Sequence, residues 1–199
     1  MNNIKEMKLY SDAYRIFKDL KALGYEEDDK LSLEDVNQFD QLHYHGTLSV
    51  QEAIESINIQ ENDNVLEVGA GWGGPSRYIA YKTRANVSAL ELQQDYSEVG
   101  KELTLKTGLE SFVTHINEDF LNYSQKDTCF DKIVSWLALY HIPYRKKYTN
   151  KLFNLLNKKG MLFIEDLTFG SSFESSHKKM LEKKLFSNSL EKYSDYLDT

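Results

Sequence analysis

The chain has 199 residues, of which 41% are hydrophobic and 13% aromatic, and its formal net charge is −7. This composition is typical of one globular domain and argues against a disordered chain. The acidic balance argues against a nucleic-acid partner, because neutralising phosphates needs clustered lysine and arginine. A single cysteine, Cys129, excludes a disulfide or a cysteine-based zinc site within the chain. With no signal-like or membrane-length apolar run, we expect a cytoplasmic protein without a membrane partner.

Three helices are predicted before the first strand, each with a residue at one end that is typical of helix termini. They are a helix over 4–23 that Gly24 would end, a short helix capped by Ser32 and Asp35, and a helix over 49–57 capped by Ser49 and Glu52. Because these helices precede the first strand, they can fold over a bound ligand. We therefore predict that residues 1–60 form a helical cover.

From residue 64 onward, predicted strands and helices alternate along the chain. The strands are expected at 64–69, 86–91, 112–116, 130–136 and 161–167, and the helices at 74–83, 94–107, 144–157 and 172–187. Alternation of this kind predicts an α/β fold, a parallel sheet with helices on both faces. In such a sheet ligands bind at the carboxyl ends of the strands, where the strand order reverses. We assign this core to residues 61–199.

Two sequence signals indicate where the helix before the fifth predicted strand begins and ends. Pro143 suits the first turn of that helix, because proline lacks the N–H that would be unpaired there. Lys158, Lys159 and Gly160 are typical of a helix C-terminus. We therefore expect the helix to end at Gly160 and the fifth strand to follow.

A glycine-rich turn follows the first predicted strand. It contains Gly69, Gly71 and Gly73, and Glu67 lies two residues before the first of them. Glycines let the backbone turn sharply and approach a ligand without a side chain in the way. The N-terminus of the next helix would then face that ligand.

The second predicted strand ends at an acid, Glu91. A carboxylate at this position can bind both hydroxyls of a ribose, although an ordinary strand-end carboxylate is the alternative. Gly69, Gly71 and Gly74 also satisfy the dinucleotide spacing G-x-G-x-x-G. An NAD-dependent oxidoreductase is therefore a second candidate for this turn.

The sequence resembles the class I S-adenosylmethionine (SAM) dependent methyltransferases at Glu67–Gly71, Ala89–Gln93, Glu118–Phe120 and Phe130–Trp136. It is similar more narrowly to sarcosine/dimethylglycine N-methyltransferases, and more distantly to phosphoethanolamine N-methyltransferases, at Leu42–Thr47, Gly73–Tyr78, His141–Arg145 and Phe163–Asp166. The resemblance runs from about Gln38 to Thr199. It implies a Rossmann-like fold with SAM as cofactor and S-adenosylhomocysteine as product.

The resemblance also implies how SAM would be held. The glycine turn would pass the methionine portion, the acid after the second strand would bind the ribose, and the loop after the third strand would hold the adenine. The cofactor-binding residues are then Glu67, Gly69, Ala70, Gly71, Gly73, Glu91, Leu92, Asp119, Phe120, Trp136 and Leu137. A loop-capping Asp119 and a core-packing Trp136 are the alternatives.

His141 is the candidate general base. An amine must be neutral to attack a sulfonium methyl group, and a histidine can take its proton near neutral pH. The residue matches a histidine that works with a tyrosine in phosphoethanolamine methyltransferases, and Tyr44 on the cover is the candidate tyrosine. Those enzymes carry an acid where this chain has Leu137, so a structural histidine is the alternative.

His45, Tyr140 and Arg145 are the candidate acceptor-binding residues. A guanidinium pairs well with a carboxylate or a phosphate, and aromatic rings can contact a methylated ammonium. Relatives with small amino-acid substrates have an aspartate beside this arginine, where this chain has Tyr144. No third ligand accompanies the histidines of the cover, so we expect no metal.

The C-terminus departs from the resemblance. The methyltransferase fold adds two antiparallel strands after the fifth strand, whereas residues 171–199 are predicted to be helical and polar. Either the chain is truncated or a partner, a second copy or another chain, covers the sheet edge. The leading hypothesis is a SAM-dependent methyltransferase acting on an amine nitrogen of a small molecule, and a catalytically silent SAM-binding subunit is the third candidate.

Overall fold

The computed structural model describes residue 5 and residues 7–124, 130–170 and 179–181. The predicted helix over 172–187 lies outside the described residues except for 179–181, which are helical. The predicted lack of two terminal strands falls in the same part of the chain and stays a prediction.

Five strands form one parallel sheet, which confirms the predicted Rossmann-like α/β fold. They are β1 (Asn64–Val68), β2 (Asn86–Glu91), β3 (Val113–Asn117), β4 (Phe130–Trp136) and β5 (Leu156–Glu165). Their order across the sheet is β3-β2-β1-β4-β5. The order therefore reverses between β1 and β4, and a crevice opens beyond their carboxyl ends. Ser135 Oγ ties the two strands together there by donating to the Val68 carbonyl at 2.9 Å.

In the described part of the chain, six α-helices and two short 3₁₀ turns connect and cover the sheet. The helices are α1 (Arg15–Ala22), α2 (Leu33–Asn37), α3 (Thr47–Ser56), α4 (Gly74–Thr83), α5 (Gln94–Lys106) and α6 (Arg145–Leu155), and the turns are Lys8–Tyr10 and Leu139–His141. Two predictions about helix ends are confirmed. Gly24 lies just beyond α1 with φ +97°, and Ser32 and Asp35 form a capping box at the start of α2.

The predicted helix over 4–23 is wrong in its first half. Among the described residues 7–23, the 3₁₀ turn ends at Tyr10 and α1 begins at Arg15, so the four residues from Ser11 to Tyr14 interrupt the predicted helix. The Ser11 hydroxyl donates to the Lys8 carbonyl at 2.9 Å. Serine competes in this way for backbone partners and favours helix ends over helix interiors.

The predicted capping pair of Ser49 and Glu52 is also wrong. Helix α3 begins two residues earlier, after Gly46, which takes φ +52°. Ser49 therefore lies inside the helix, buried, where its hydroxyl donates to the Glu165 carboxylate and accepts from the indole of Trp136. A tertiary contact thus uses the hydroxyl that local sequence assigned to a cap.

Both predicted boundaries of the last core helix need correction. Helix α6 begins at Arg145, so Pro143 precedes its first turn. It ends at Leu155, and the residues 158–160 that were expected to close it belong to β5. Here β5 bulges, because Phe130 pairs with Leu156 but Lys132 pairs with Met161. Asn157 stabilises the bulge by donating to the Asp131 carboxylate.

The cover and the sheet share their apolar cores. Leu33 and Val50 from the cover pack in one cluster with Val65 and Val134 from the strands. The boundary between a cover (1–60) and a core (61–199) stays a prediction. None of the described helices has the length and apolarity needed to cross a membrane.

Candidate active site

A cavity of about 110 Å³ lies at the carboxyl ends of the central strands. Most of the predicted cofactor-binding residues line it. They are Glu67, Gly69, Ala70, Gly71, Glu91, Leu92, Asp119, Phe120, Trp136 and Leu137. Residues from four separate loops therefore meet at one place, as parallel-strand topology requires.

The glycine turn supplies the floor of this cavity. Gly69 takes φ +78°, and its N–H and that of Ala70 donate to the Leu90 carbonyl at 2.9 and 3.0 Å. A methyl group added at Gly69 would come within 2.2 Å of the Ala138 side chain. Glycine is thus required here both by backbone conformation and by the close approach of the loop after β4.

We expect Gly69→Ala to lower the free energy of unfolding by about 2–3 kcal/mol, since the substitution adds strain at positive φ and overpacks a buried contact. Gly108→Ala is the matched control, because Gly108 also has positive φ (+69°) but no neighbour within 4 Å of the added methyl. It should cost about 1 kcal/mol. Urea denaturation of both variants measures the difference, and equal losses would contradict the proposed overlap.

Gly73 differs from the other predicted cofactor residues. It does not line the cavity, and a methyl group there would lie 2.6 Å from the ring of His115. Its φ of +76° ends the turn before α4. Close packing against His115 therefore explains the glycine at this position. Gly73 was predicted to contact the cofactor, but it is not among the residues that line the cavity.

The Glu91 carboxylate holds the turn from the β2 side. Its Oε2 accepts from the Gly71 N–H and its Oε1 accepts from the Gln93 N–H, both at 2.8 Å. Burial raises the pKa of this carboxyl, and the two amides oppose the shift. The side chain thus lines the cavity as a positioned acceptor, as a ribose-binding acid must.

Glu67 is more deeply buried than Glu91, with 2% of its surface exposed. Ser76 at the start of α4 donates to its Oε2. Burial raises the pKa of Glu67 to about 8. Burial thus favours the protonated carboxyl, and a cation bound in the cavity would favour its charged form.

The residues after β3 form the side of the cavity assigned to adenine. Asp119 Oδ1 accepts from the Leu121 N–H at 2.8 Å, so the loop-capping interpretation of Asp119 fits this geometry. Asp119 also lines the cavity. Phe120 is buried beside it, and Leu92 is 58% exposed at the rim.

Trp136 ends β4 and Leu137 follows it, and both line the cavity. Trp136 packs between two rings, His43 at 5.5 Å and Phe163 at 5.6 Å between centroids, and its N–H donates to Ser49 at 2.9 Å. Leu137 takes φ +50°. This strained backbone turns the loop after β4 into the cavity.

His141 lines the cavity from the 3₁₀ turn Leu139–His141. The tyrosine that approaches it from the N-terminal segment is Tyr10, with ring centroids 6.0 Å apart in an edge-on arrangement. Tyr10 also lines the cavity, and burial together with the nearby Glu91 raises its pKa. The structure thus brings a histidine and a tyrosine together, but the tyrosine is not the predicted one.

Tyr44 and His45 do not line the cavity. Tyr44 is 58% exposed, and both residues precede the turn at Gly46 that starts α3. Their neighbour His43 lines the cavity in their place. Backbone direction within the cover decides which of three adjacent rings points inward, and no periodicity in the sequence reports it.

Tyr140 and Arg145 lie just outside the cavity lining. Tyr140 packs on His141 at 4.0 Å between ring centroids. Arg145 is buried near Asp166, a carboxyl at the end of β5 whose pKa burial raises to about 7. The Tyr140 N–H also stabilises the charged form of Asp166. These residues back the turn that carries His141.

Several cavity residues were missed from sequence, chiefly Tyr10, Asp40, His43 and Tyr96. The apolar stripe of the first predicted helix contained Tyr10, but as a packing residue. Within the described residues, no group of three or more His, Cys, Asp or Glu side chains could hold a metal ion.

The chain matches the family described as mycolic acid cyclopropane synthetase over residues 33–193, most of its length. The chain belongs to this family. Membership confirms the resemblance to class I SAM-dependent methyltransferases.

The names of the relatives of this cyclopropane synthetase family member differ in the acceptor that they state, and one states none. Methyltransferase GfsG of Streptomyces halstedii is 27% identical over 133 residues, which are 67% of this chain and 48% of that protein. The glycine/sarcosine/dimethylglycine N-methyltransferase of Actinopolyspora halophila is 26% identical over 118 residues, 59% of this chain and 21% of that enzyme. The sterol 24-C-methyltransferase of Eremothecium gossypii is 30% identical over 120 residues, which are 60% of this chain and 32% of that enzyme. The chain thus spans half or less of these relatives.

Solved structures share the fold. Phosphoethanolamine N-methyltransferase 2 of Haemonchus contortus, solved with S-adenosyl-L-methionine, superposes with a TM-score of 0.77 at 17% identity, over 98% of this chain and 42% of that one. The structure of a sarcosine dimethylglycine methyltransferase from Galdieria sulphuraria, whose function is itself only inferred, superposes with a TM-score of 0.66 at 20% identity. The match covers 75% of this chain and 55% of that one.

Proposed function

We propose that this protein is a SAM-dependent methyltransferase that transfers a methyl group to a small molecule. The observation that carries the proposal is the cavity itself, in which a glycine turn, Glu91 at the end of β2 and Asp119 after β3 meet. Two buried acids with raised pKa face this cavity, and a ligand that carries hydroxyls and a positive charge would offset the cost of their burial. SAM carries both.

When bound, SAM supplies an electrophilic methyl group on a sulfonium. Glu91 would hold the ribose hydroxyls, Leu92 and Phe120 would pack on the adenine, and Asp119 would accept from its amino group. Trp136 and Leu137 would flank the methionine end. Catalysis then consists mainly of placing the acceptor in line, at roughly 3 Å from the methyl carbon.

We propose an amine nitrogen as the acceptor and His141 as the base that takes its proton. The sarcosine- and phosphoethanolamine-methylating relatives support a nitrogen acceptor, while the sterol-methylating relatives support a carbon acceptor. The position of His141 in the cavity lining favours nitrogen, because an ammonium must lose a proton before it attacks. Tyr10, beside His141, is the tyrosine that we assign to this step in place of Tyr44.

Glu91→Gln tests the cofactor assignment. Hydrogen bonds to a charged acceptor contribute about 1.5–3 kcal/mol, so S-adenosylhomocysteine should bind about 10- to 100-fold more weakly in calorimetric titration. Glu98→Gln is the control, an exposed glutamate on α5 that should leave affinity unchanged. Failure of the unaltered protein to bind S-adenosylhomocysteine would refute the function, whereas an unaffected Glu91 variant would refute only the ribose contact.

We further propose a cytoplasmic protein whose β5 edge receives a second copy or a partner chain. β5 is the outermost described strand on its side of the sheet. Light scattering of the purified chain would detect a dimer. A monomer that binds S-adenosylhomocysteine and methylates no amine would favour the silent-subunit hypothesis.

A further inference from the structure

A buried ion pair joins the cover to the core beside the cavity. Arg77 on α4 donates from Nη2 to Asp40 Oδ2 at 2.8 Å, and both side chains are 0% exposed. The other terminal nitrogen, Nη1, donates to the Trp72 carbonyl at 2.7 Å and to Thr104 Oγ1 at 3.1 Å. Asp40 itself lines the cavity. The arginine thus anchors one cavity residue from outside the cavity.

The cover backbone lies directly on α4 at this point. A methyl group at Gly74 would come within 2.5 Å of the Asp40 carbonyl and 2.7 Å of the Gln41 side chain. Burial raises the pKa of Asp40 and the Arg77 guanidinium opposes that shift. The ion pair and the glycine contact together hold the cover against the start of α4.

Gln41 extends this pair toward the cavity. Its Nε2 donates to Asp40 Oδ1 at 2.8 Å and to Asn37 Oδ1 at 3.2 Å. Because carboxylate and amide oxygens accept and cannot donate, this assignment orients the amide and turns its Oε1 toward His43. His43 Nε2 lies 3.0 Å from that oxygen.

His43 is held at both ring nitrogens. Nδ1 lies 3.0 Å from the Tyr44 carbonyl, so each nitrogen faces an oxygen acceptor. The ring packs at 5.5 Å from Trp136 at the methionine end of the cavity. The two oxygen acceptors and the contact with Trp136 together restrict the orientation of the ring.

We propose that Arg77, Asp40 and Gln41 form a positioning relay for His43, and that His43 is the cover residue that contacts the methyl acceptor. The inference rests on the proposed function, since it names the residue that bounds the acceptor end of the same cavity. A ring displaced by about 1 Å at such a site can cost up to about 100-fold in rate.

The relay also sets how His43 titrates. Burial lowers the pKa of His43, while the Tyr44 carbonyl, the Glu165 carboxylate and the Asp40 carboxylate raise it and His45 lowers it. The neutral ring donates from one nitrogen, to Gln41 Oε1 or to the Tyr44 carbonyl, whereas the protonated ring donates to both. Loss of that acceptor should therefore lower the pKa further.

Gln41→Met is the decisive variant, because it keeps side-chain length and removes both links of the relay. Gln38→Met is the matched control, an exposed glutamine at the end of α2. The 199-residue chain, labelled at its five histidines, is titrated by NMR. We expect the His43 ring signals to shift and its titration midpoint to fall in Gln41→Met, with both unchanged in Gln38→Met.

The kinetic arm uses SAM and dimethylglycine as probes. We expect Gln41→Met to lower kcat/KM for dimethylglycine about tenfold, with S-adenosylhomocysteine affinity changed less than about twofold. His43 signals identical to those of the unaltered protein would overturn the relay. A melting temperature lowered as far as in Asp40→Asn would assign Gln41 to the fold alone. Absence of turnover in the unaltered protein would count against the proposed acceptor and leave the NMR result to decide the relay.

Discussion

Replacing Arg77 with methionine is expected to lower the free energy of unfolding by about 3–5 kcal/mol, because it leaves the Asp40 carboxylate buried without its partner. Domains of this size have total stabilities of about 5–15 kcal/mol, so the variant should lie near the limit of folding. Urea or thermal denaturation at pH 7 measures the loss. The carbonyls of Trp72 and Gly100 also lose a donor, which adds to it.

Two further variants separate charge from packing at this pair. Arg84→Met removes an exposed arginine just beyond the same helix and should cost far less. The double variant Arg77→Met/Asp40→Leu removes both charges and should recover a large part of the loss.

The pH dependence has a definite sign. Burial already raises the folded-state pKa of Asp40 beside Arg77, and in Arg77→Met the loss of the guanidinium raises it further above the unfolded value. The native state then binds the proton more tightly, so the deficit is smaller below the unfolded pKa and grows as pH rises toward 7. A deficit that is independent of pH, or no recovery in the double variant, would show that the pair contributes no electrostatic stability.

His141→Ala is expected to reduce kcat for methylation of an amine by about 100- to 10,000-fold, the range that a positioned general base contributes. S-adenosylhomocysteine affinity should change little, because the cofactor assignments rest on other residues. Tyr10→Phe should give a smaller fall, since it removes a hydroxyl beside the base and keeps the ring contacts with Tyr96 and His141.

Steady-state kinetics and calorimetry on the same preparations test this assignment. Tyr14→Phe is the control for the tyrosine variant, because Tyr14 is half-exposed and lies outside the cavity. If His141→Ala lowers turnover and cofactor affinity equally, His141 is a structural residue of the turn after β4. If it lowers neither, the base must be sought elsewhere, and His43 is the next ring in the cavity lining.

The strands were predictable to within a few residues at most of their ends, because each buried strand is a short apolar run bounded by polar or glycine residues. The start of β5 was not. Lys158, Lys159 and Gly160 have the local chemistry of a helix end, but pairing with β4 and the Asn157–Asp131 contact draw them into a bulged strand. Hydrogen bonds to a neighbouring strand outweigh differences in helix propensity, which amount to a few tenths of a kcal/mol per residue.

The cavity residues also divide into those that could be predicted from the sequence and those that could not. Glu67, the glycines of the turn, Glu91 and Asp119 could be assigned because parallel topology places strand ends together once the strands are known. The residues from the cover could not. Tyr44 was expected in the cavity and His43 was not, yet the chain turns at Gly46 and rests on Gly74, which directs His43 inward.

The sequence by itself thus determined the α/β class, the family and the floor of the site, since these depend on periodicity and on glycine and acid positions within one loop. Only the tertiary structure decided which side chains close the site from above, namely Tyr10 and His43, and that a buried Asp40–Arg77 pair stands behind them. The physical reason is that a cover is oriented by contacts between residues far apart in the chain, and such contacts leave no periodic signal in the residues that make them.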